Sequence, residues 1–282
     1  VALAGTEDDR IAYPVGKGSG AVTAFSQADG FFAIDALGEA HPADGLAEVT
    51  LFTPHLTVPD LTIMGSHCTG LDAVVGRLAN EGLSARVLAL GSQGGLSALR
   101  CGECDLAPIH LLDPDSGTYN RPFLPEGAGL IPGWRRMQGI LHRPDDARFA
   151  RAADATAAVA AALADPGCLM AGRNQGAGTR ILLDRLLGGQ KPPGYWNQPR
   201  SHNAGAAAIA QGRADWGLAI RQVAEANGLG FVPLAEEHYD IAVAAAARRP
   251  EAVEAFRRAL AAAAAALTAL GFTPAAPDET QA

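Results

Sequence analysis

A chain of 282 residues, 48% hydrophobic and 18% charged, is long enough for one large or two ordinary domains and reads as globular. Its formal charge of −8 argues against nucleic acid or an anionic membrane as the main partner. A small anion stays open, because a buried site holds one through local dipoles and one or two arginines. No run qualifies as a transmembrane helix: "AAVAAALA" and "ALAAAAAALTAL" are alanine-rich and too short or too weakly apolar. No signal peptide is visible and the first residue is Val, so an excised or processed segment is expected. Cysteines at 68, 101, 104 and 168 do not make a disulfide framework in a chain this size, which favours a reducing, cytoplasmic setting.

Residues 1 to about 55 alternate short β-type runs with turn signals such as "GKGSG" and "ADG", and helical periodicity is absent. With the proline-containing linker "TPHLTVPD", they predict a small all-β domain over 1–58. From Leu61 the pattern becomes α/β. "LTIM" reads as a strand ending in "GSHCTG", with "LDAVVGRLAN" at helix spacing behind it. "ARVLAL" ends in "GSQGG" before the helix "LSALRCG", and "DLAPIHLL" is a third strand. "CLMAGR" then ends in "NQGAGTR" before the helix "ILLDRLL". This recurrence predicts parallel sheets with loops gathered at the strands' carboxyl ends, where open α/β sheets hold ligands. "ALRCGECDLAPIH" (98–110) is echoed by "AIAQGRADWGLAI" (208–220), with glycines 102 and 212 and aspartates 105 and 215 in register. Two similar lobes with a cleft between them are expected.

Four predicted helix starts carry a hydroxyl: Ser66 in "GSH", Ser92 in "GSQGG", Thr179 in "GAGTR" and Ser201 in "RSHN". A single capped helix needs no ligand, but four distributed over two lobes favour an oxyanion seat made of hydroxyls and helix N–H groups. "GAGTR" is not a Walker loop, since the GK[ST] ending is missing. Arg173 and Arg180 flank it and read either as bidentate oxyanion contacts or as surface salt bridges. The candidate ligand set is Ser66, His67, Ser92, Gly94, Arg173, Gly178, Thr179, Arg180, Ser201 and His202, with no catalytic residue and no metal ligand. The Ser-His dipeptides lack the G-x-S-x-G spacing of a hydrolase. Cys101 and Cys104 read as structural thiols, because no second CxxC or paired His follows. His110 and Asp113 either line the cleft or, for Asp113, cap a turn before Pro114. Trp134, Trp196 and Trp216 are expected in the core.

"PVGKGSGAVTAFSQADGFFAI" resembles the C-terminal β-barrel domain of molybdopterin molybdenumtransferases. Residues 61–282 resemble the type II periplasmic-binding-protein-like domain sometimes fused behind that enzyme, on "GSH" and "LD" (65–72), "GSQGGLSALRCGECDLAPIHLLDPDSGTYN" (91–120), "GAGTRILLD" (176–184), "GRADWGLAIR" and "FVPLAEEHYD" (212–240). The resemblance implies an α/β fold of two lobes over 59–282, the first about 59–113 and 236–282, the second about 137–234. It implies molybdate or tungstate bound between them, for sensing or for delivery within molybdenum-cofactor biosynthesis. Ser66, Ser92, Thr179 and Arg173 match the hydroxyl and arginine positions of tungstate- and molybdate-binding relatives, and Ala177 stands where those carry a serine. The catalytic domain of the transferase is absent from this chain, so the chain itself is expected to be non-catalytic and that domain to be its partner, in a possible homodimer. Two alternatives stay open: a sensor of an organic ligand such as a pterin or nucleotide, or a ligand-free structural or dimerisation module.

Overall fold

The computed structural model describes residues 1–275 apart from 6–9, 16–27, 36, 37, 39, 44, 55, 176 and 200. Strands β1 (Ala2–Gly5) and β2 (Arg10–Tyr13) form one antiparallel pair, and β3 (Gly30–Phe31) and β4 (Thr50–Leu51) form another. Most of the run carrying the β-barrel resemblance, residues 16–27, lies outside the described residues. The remainder rests on the body of the protein. Arg86 grips the Asp29 carboxylate with both terminal nitrogens, at 2.5 and 2.8 Å. Tyr13 donates to Glu103 at 2.6 Å, and Ala4 packs in the cluster formed by Met64, Leu96, Leu99 and Ile109.

The body begins with β5 (Leu61–Gly65), whose residues are all buried, the pattern of a strand covered on both faces. Helix α1 (Thr69–Asn80) buries Leu71, Val74 and Leu78, spaced at three and four residues so that one stripe faces inward. There follow β6 (Ala85–Ala89), α2 (Gly91–Arg100), β7 (Leu106–Ile109) and the 14-residue β8 (Gly129–His142). Next come α3 (Ala147–Ala150), α4 (Ala155–Ala164), β9 (Met170–Ala171), α5 (Gly178–Leu187) and α6 (His202–Ala210). The chain closes with β10 (Trp216–Ile220), α7 (Arg221–Ala226), β11 (Gly230–Val243), α8 (Pro250–Ala262), α9 (Ala264–Ala269) and β12 (Thr273–Pro274).

One eight-stranded sheet runs β6-β5-β7-β11-β8-β10-β9, with β12 added against β8. The expected parallel pairings appear at its ends, β5 with β6 and β7, and β9 with β10. The centre departs from that expectation: β8 and β11 are antiparallel to each other and to their neighbours. They are the outward and return passes between a first lobe (β5–β7, α1, α2, α8, α9) and a second (β9, β10, α3–α7), and successive passes in opposite directions must pair antiparallel. The internal echo is a structural repeat, since Gly102 and Gly212 both turn with left-handed φ of 72° and 71° after α2 and α6. Trp134 and Trp216 are fully buried, as expected, but Trp196 is 67% exposed. It lies on a loop under Lys191, whose ammonium sits 5.2 Å from its ring centre. No helix among the described residues is long and apolar enough to cross a membrane.

Candidate functional site

The lobes meet at His110, the residue after β7. Its N–H donates to Ser92 Oγ at 3.2 Å, its Nδ1 lies 3.0 Å from Glu237 Oε2, and its Nε2 lies 2.9 Å from Ser66 Oγ. The carboxylate can only accept, so Nδ1 carries the proton and a neutral ring accepts from Ser66 at Nε2. From the second lobe Gly178, the first residue of α5, is pressed against the same imidazole. A Cβ there would stand 2.6 Å from His110 O and 2.8 Å from Nδ1, a space only glycine can occupy.

Beneath His110, the crossing strands present polar side chains on one face. Trp134, Arg136 and Gln138 alternate along β8, and the ladder sets Arg136 opposite Glu237 and Trp134 opposite Tyr239. Arg136 Nε and Gln138 Nε2 both donate to Glu237, and the Arg136 guanidinium lies 4.7 Å from the centre of the Tyr239 ring. Tyr239 Oη donates to the carbonyl of Ser66. Burial pushes the Glu237 carboxyl up, but Arg136 and His110 outweigh it and hold it below its ordinary range. Burial drives the His110 pKa down, with Glu237 opposing and Arg136 adding to the shift, and the net effect is a lowered value.

The second lobe adds Arg173, Thr179 and His202, all buried. One Arg173 terminal nitrogen donates to Pro199 O at 3.2 Å, while its Nε has no partner among the described residues. Burial, reinforced by the charge on Arg136, pushes the Arg173 pKa down to about 10 against the pull of Glu237. Burial, then Arg173, Arg136 and His110, force the His202 pKa well below its ordinary value. Thr179 Oγ1, His202 Nδ1 and both terminal nitrogens of Arg136 are likewise buried with no hydrogen-bond partner among the described residues. Two guanidiniums against one carboxylate, with both imidazoles neutral, leave this buried centre one positive charge in excess. Each orphaned donor costs about 1–3 kcal/mol relative to a satisfied one. The arrangement is short of an acceptor and a negative charge.

Beside this centre lies a shallow, open cleft with an enclosed volume of about 20 Å³ that shares His110, Gln138, Gly178 and Glu237 with it. Leu111, Leu112 and Tyr119 from the first lobe and Ile181 and Leu182 from the second complete its walls, with Arg185. A smaller pocket of about 10 Å³ reaches Arg173 and His202 from inside the second lobe. Among the described residues no group of His, Cys, Asp and Glu is placed to hold a metal ion.

Of the residues singled out from sequence, Ser66, Ser92, Arg173, Gly178 and His202 belong to this assembly, and Thr179 follows Gly178 with its hydroxyl buried. Ser92 serves it indirectly, since its hydroxyl is spent on the His110 backbone. The picture of four hydroxyl-capped helix starts is corrected. The residues at the N-cap positions of α1, α2 and α5 are Cys68, Leu90 and Ala177, none of which makes a side-chain cap bond. Ser201 does cap α6, accepting from the Ala204 N–H at 3.1 Å, but it is exposed. His67 is 43% exposed and bonded to Asp72 at 2.7 Å, and Gly94 lies within α2; neither joins the cluster. Arg180 is already committed: Nε to Asp184 at 2.9 Å, a terminal nitrogen to Arg173 O at 2.7 Å, its plane over Tyr195 at 4.2 Å. It braces the Arg173 loop. Gly176 of "GAGTR" is outside the described residues. Asp113 caps its turn by accepting from the Ser116 N–H and hydroxyl at 3.1 and 2.5 Å. Arg136, Gln138, Glu237 and Tyr239 escaped the sequence reading. Their signal is polar residues at alternate positions on the buried face of strands whose other face is partly exposed.

A family model described as a PBP superfamily domain matches residues 75–261. YvgK of Bacillus subtilis (strain 168), an uncharacterized protein, is 29% identical over 163 residues, 54% of this chain and 51% of its own. The chain thus spans about half the length of that curated relative. Among solved structures, the tungstate-binding protein TupA from Desulfovibrio alaskensis aligns with a TM-score of 0.53 at 16% identity, covering 77% of this chain and 98% of TupA. An ABC-type phosphate transport receptor from Vibrio cholerae aligns at 0.52 and 13% identity, over 76% and 99% of the two chains. An OxyR mutant from Corynebacterium glutamicum aligns at 0.54 and 16% identity, over 74% and 66%. At these identities the likeness is one of fold: a two-lobed α/β architecture of the type II periplasmic-binding-protein kind.

Proposed function

The chain belongs to the PBP superfamily, and on that premise we propose that its two lobes receive an oxyanion at the Arg136–Arg173–Thr179 centre. The observation that carries the reading is the set of buried donors without acceptors there, on two guanidiniums and a hydroxyl drawn from both lobes. An anion would satisfy them together and remove the excess positive charge. Molybdate and tungstate are the first inorganic candidates. The motif resemblance supports them, and so does the shared fold with a protein named for tungstate binding. In the same reading the chain senses such an anion, or delivers it, in molybdenum-cofactor biosynthesis. The N-terminal segment would then correspond to the small β domain of a molybdenumtransferase.

Thermal unfolding with molybdate, tungstate, phosphate, sulfate or no added anion tests this. An anion at 100 times its dissociation constant adds about 2.7 kcal/mol, enough to raise the midpoint by several degrees. Molybdate or tungstate should do so in the wild type and fail in Arg173→Gln. The absence of a shift with all four anions would remove the inorganic reading.

A further inference from the structure

Ser66, His110 and Glu237 form a chain of hydrogen bonds for which anion binding has no use. Ser66 Oγ lies 2.9 Å from His110 Nε2, and His110 Nδ1 lies 3.0 Å from Glu237 Oε2. With the proton on Nδ1, Nε2 turns a lone pair toward the hydroxyl, and the order is nucleophile, base, carboxylate. The ring is held on several sides. Gly178 presses against it, and the Tyr239 ring lies nearly parallel at 6.1 Å. Tyr239 Oη also donates to the Ser66 carbonyl, which fixes the backbone that carries the hydroxyl. Burial lowers the His110 pKa against the pull of Glu237, so the ring is neutral near pH 7 and free to take a proton. The Ser66-His67 dipeptide hides this arrangement. His67 is bonded to Asp72, and the base at Ser66 comes from 44 residues further along the chain.

We propose that Ser66 is the nucleophile of an acyl-transfer site, with His110 as its general base and Glu237 positioning the imidazole. The substrate class is a small carboxylic ester. Ser66 is half-buried, and the cleft that His110 lines encloses about 20 Å³, room for about one water. The acyl group is therefore short and the leaving group lies in solvent. As Ser66 Oγ bonds to the carbonyl carbon, its proton passes to His110 Nε2. The ester C–O bond breaks and the departing oxygen takes that proton. Water then attacks the acyl carbon and gives a proton to Nε2, which returns it to Ser66 Oγ as the acyl–oxygen bond breaks. Ester and water become acid and alcohol. The negative charge that develops on the carbonyl oxygen falls at the amino end of α1. There the Ser66 N–H is spent on Pro108 O at 2.8 Å, but those of His67, Cys68 and Thr69 have no acceptor among the described residues. Cys68, the N-cap residue, makes no side-chain cap bond either.

The experiment mixes the purified chain with p-nitrophenyl acetate, which is uncharged and so tests acyl transfer apart from anion binding. Nitrophenolate release by wild type should exceed that by Ser66→Ala about a hundredfold, with an acetyl group found on Ser66 by peptide mass spectrometry of the quenched reaction. His110→Gln should lose a similar factor. Glu237→Gln should lower kcat about tenfold at unchanged KM, the split expected of a positioning residue and not of a disrupted fold. Because the last two variants remove buried contacts and can fail to fold, Ser66→Cys asks the same question by another route. Iodoacetamide should alkylate it about tenfold or more faster than Cys101, an exposed thiol of the same chain. Equal release by wild type and Ser66→Ala overturns the proposal. So do acetyl groups found only on other residues, or a Ser66→Cys thiol no more reactive than Cys101.

Discussion

Asp105 and Asp215 stand at matching positions of the two lobes, and each closes a two-bond ring with the strand beside it. Asp105 N–H donates to Thr62 O and its carboxylate accepts from Thr62 N, both at 2.9 Å. Asp215 does the same with Leu169, both bonds at 2.7 Å. Asp105 also accepts from the Arg248 N–H and is buried, whereas the Asp215 side chain is 18% exposed and shared with Arg143. Asp105→Ala should therefore cost about 3 kcal/mol by orphaning buried backbone donors, and Asp215→Ala about 1–2 kcal/mol, since water can replace part of what is lost. Urea unfolding of the two variants measures both, and equal losses would count against burial as the deciding factor.

Glu237 is the lone carboxylate bonded to Arg136, Gln138 and His110. Glu237→Gln should lower stability by about 3–5 kcal/mol, because it leaves buried guanidinium charge without its partner. The same change enlarges the positive excess, so added anion should stabilise this variant more than it stabilises wild type. Melting points with and without molybdate, at constant chloride, give the comparison; a smaller anion effect in the variant would argue against an anion site here.

Thr179 and Ser201 separate ligand binding from capping. Thr179→Val removes a buried hydroxyl that has no partner among the described residues and should leave the unliganded protein as stable as wild type or slightly more so. Anion affinity should fall about tenfold, the equivalent of roughly one hydrogen bond. Ser201→Ala should lose about 1 kcal/mol of stability through the Ala204 cap and leave affinity unchanged. Paired denaturation and titration curves distinguish the two residues.

His110 and His202 both titrate below the ordinary 6.5, His202 well below, through burial first and neighbouring cations after it, with Glu237 drawing His110 partly back. Below 6.5 the unfolded chain takes up protons that the folded chain refuses. Their contribution to stability is thus full above about pH 6.5 and is lost as pH falls toward the folded values, at up to ~1.4 kcal/mol per pH unit for each ring. Urea midpoints at pH 7.5, 6.5 and 5.5 should show the decline, and His202→Gln should flatten it. A flat profile in wild type would mean that the rings take up protons in the folded state as they do in the unfolded chain.

The Ser201 cap, the repeated strand–loop–helix order and the Asp105–Asp215 echo are local signals, and these are legible in the sequence. Long antiparallel β8 and β11 are not, because "GWRRMQGILH" and "FVPLAEEHYD" mix charge into buried strands and so lack clean alternation. The same mixture is what hides Arg136, Gln138 and Glu237. Their pairing joins residues about a hundred positions apart, and nothing in either segment alone specifies the other. Ser66 and Ser92 join the site in a way that their helix-start context does not specify: their hydroxyls anchor His110 and do not cap helices. Arg173 and Arg180 look equivalent in sequence, and only the position of Asp184 one helical turn further on tells the carboxylate-paired brace from the guanidinium that bonds a backbone carbonyl alone among the described residues.

Every residue from 143 to 229 lies in the chain between β8 and β11, so the second lobe is carried on those two strands like a paddle on a shaft. β11 is irregular between Pro233 and Ala235 and again between Tyr239 and Ile241, and Glu237 stands midway between the two breaks. The charged centre is therefore mounted at the fulcrum and not at the tips of the jaws. Were the second lobe to turn about this point, a ligand fastened there would act on a short arm, and a small shift at Glu237 would become a larger one at the lobe's outer face.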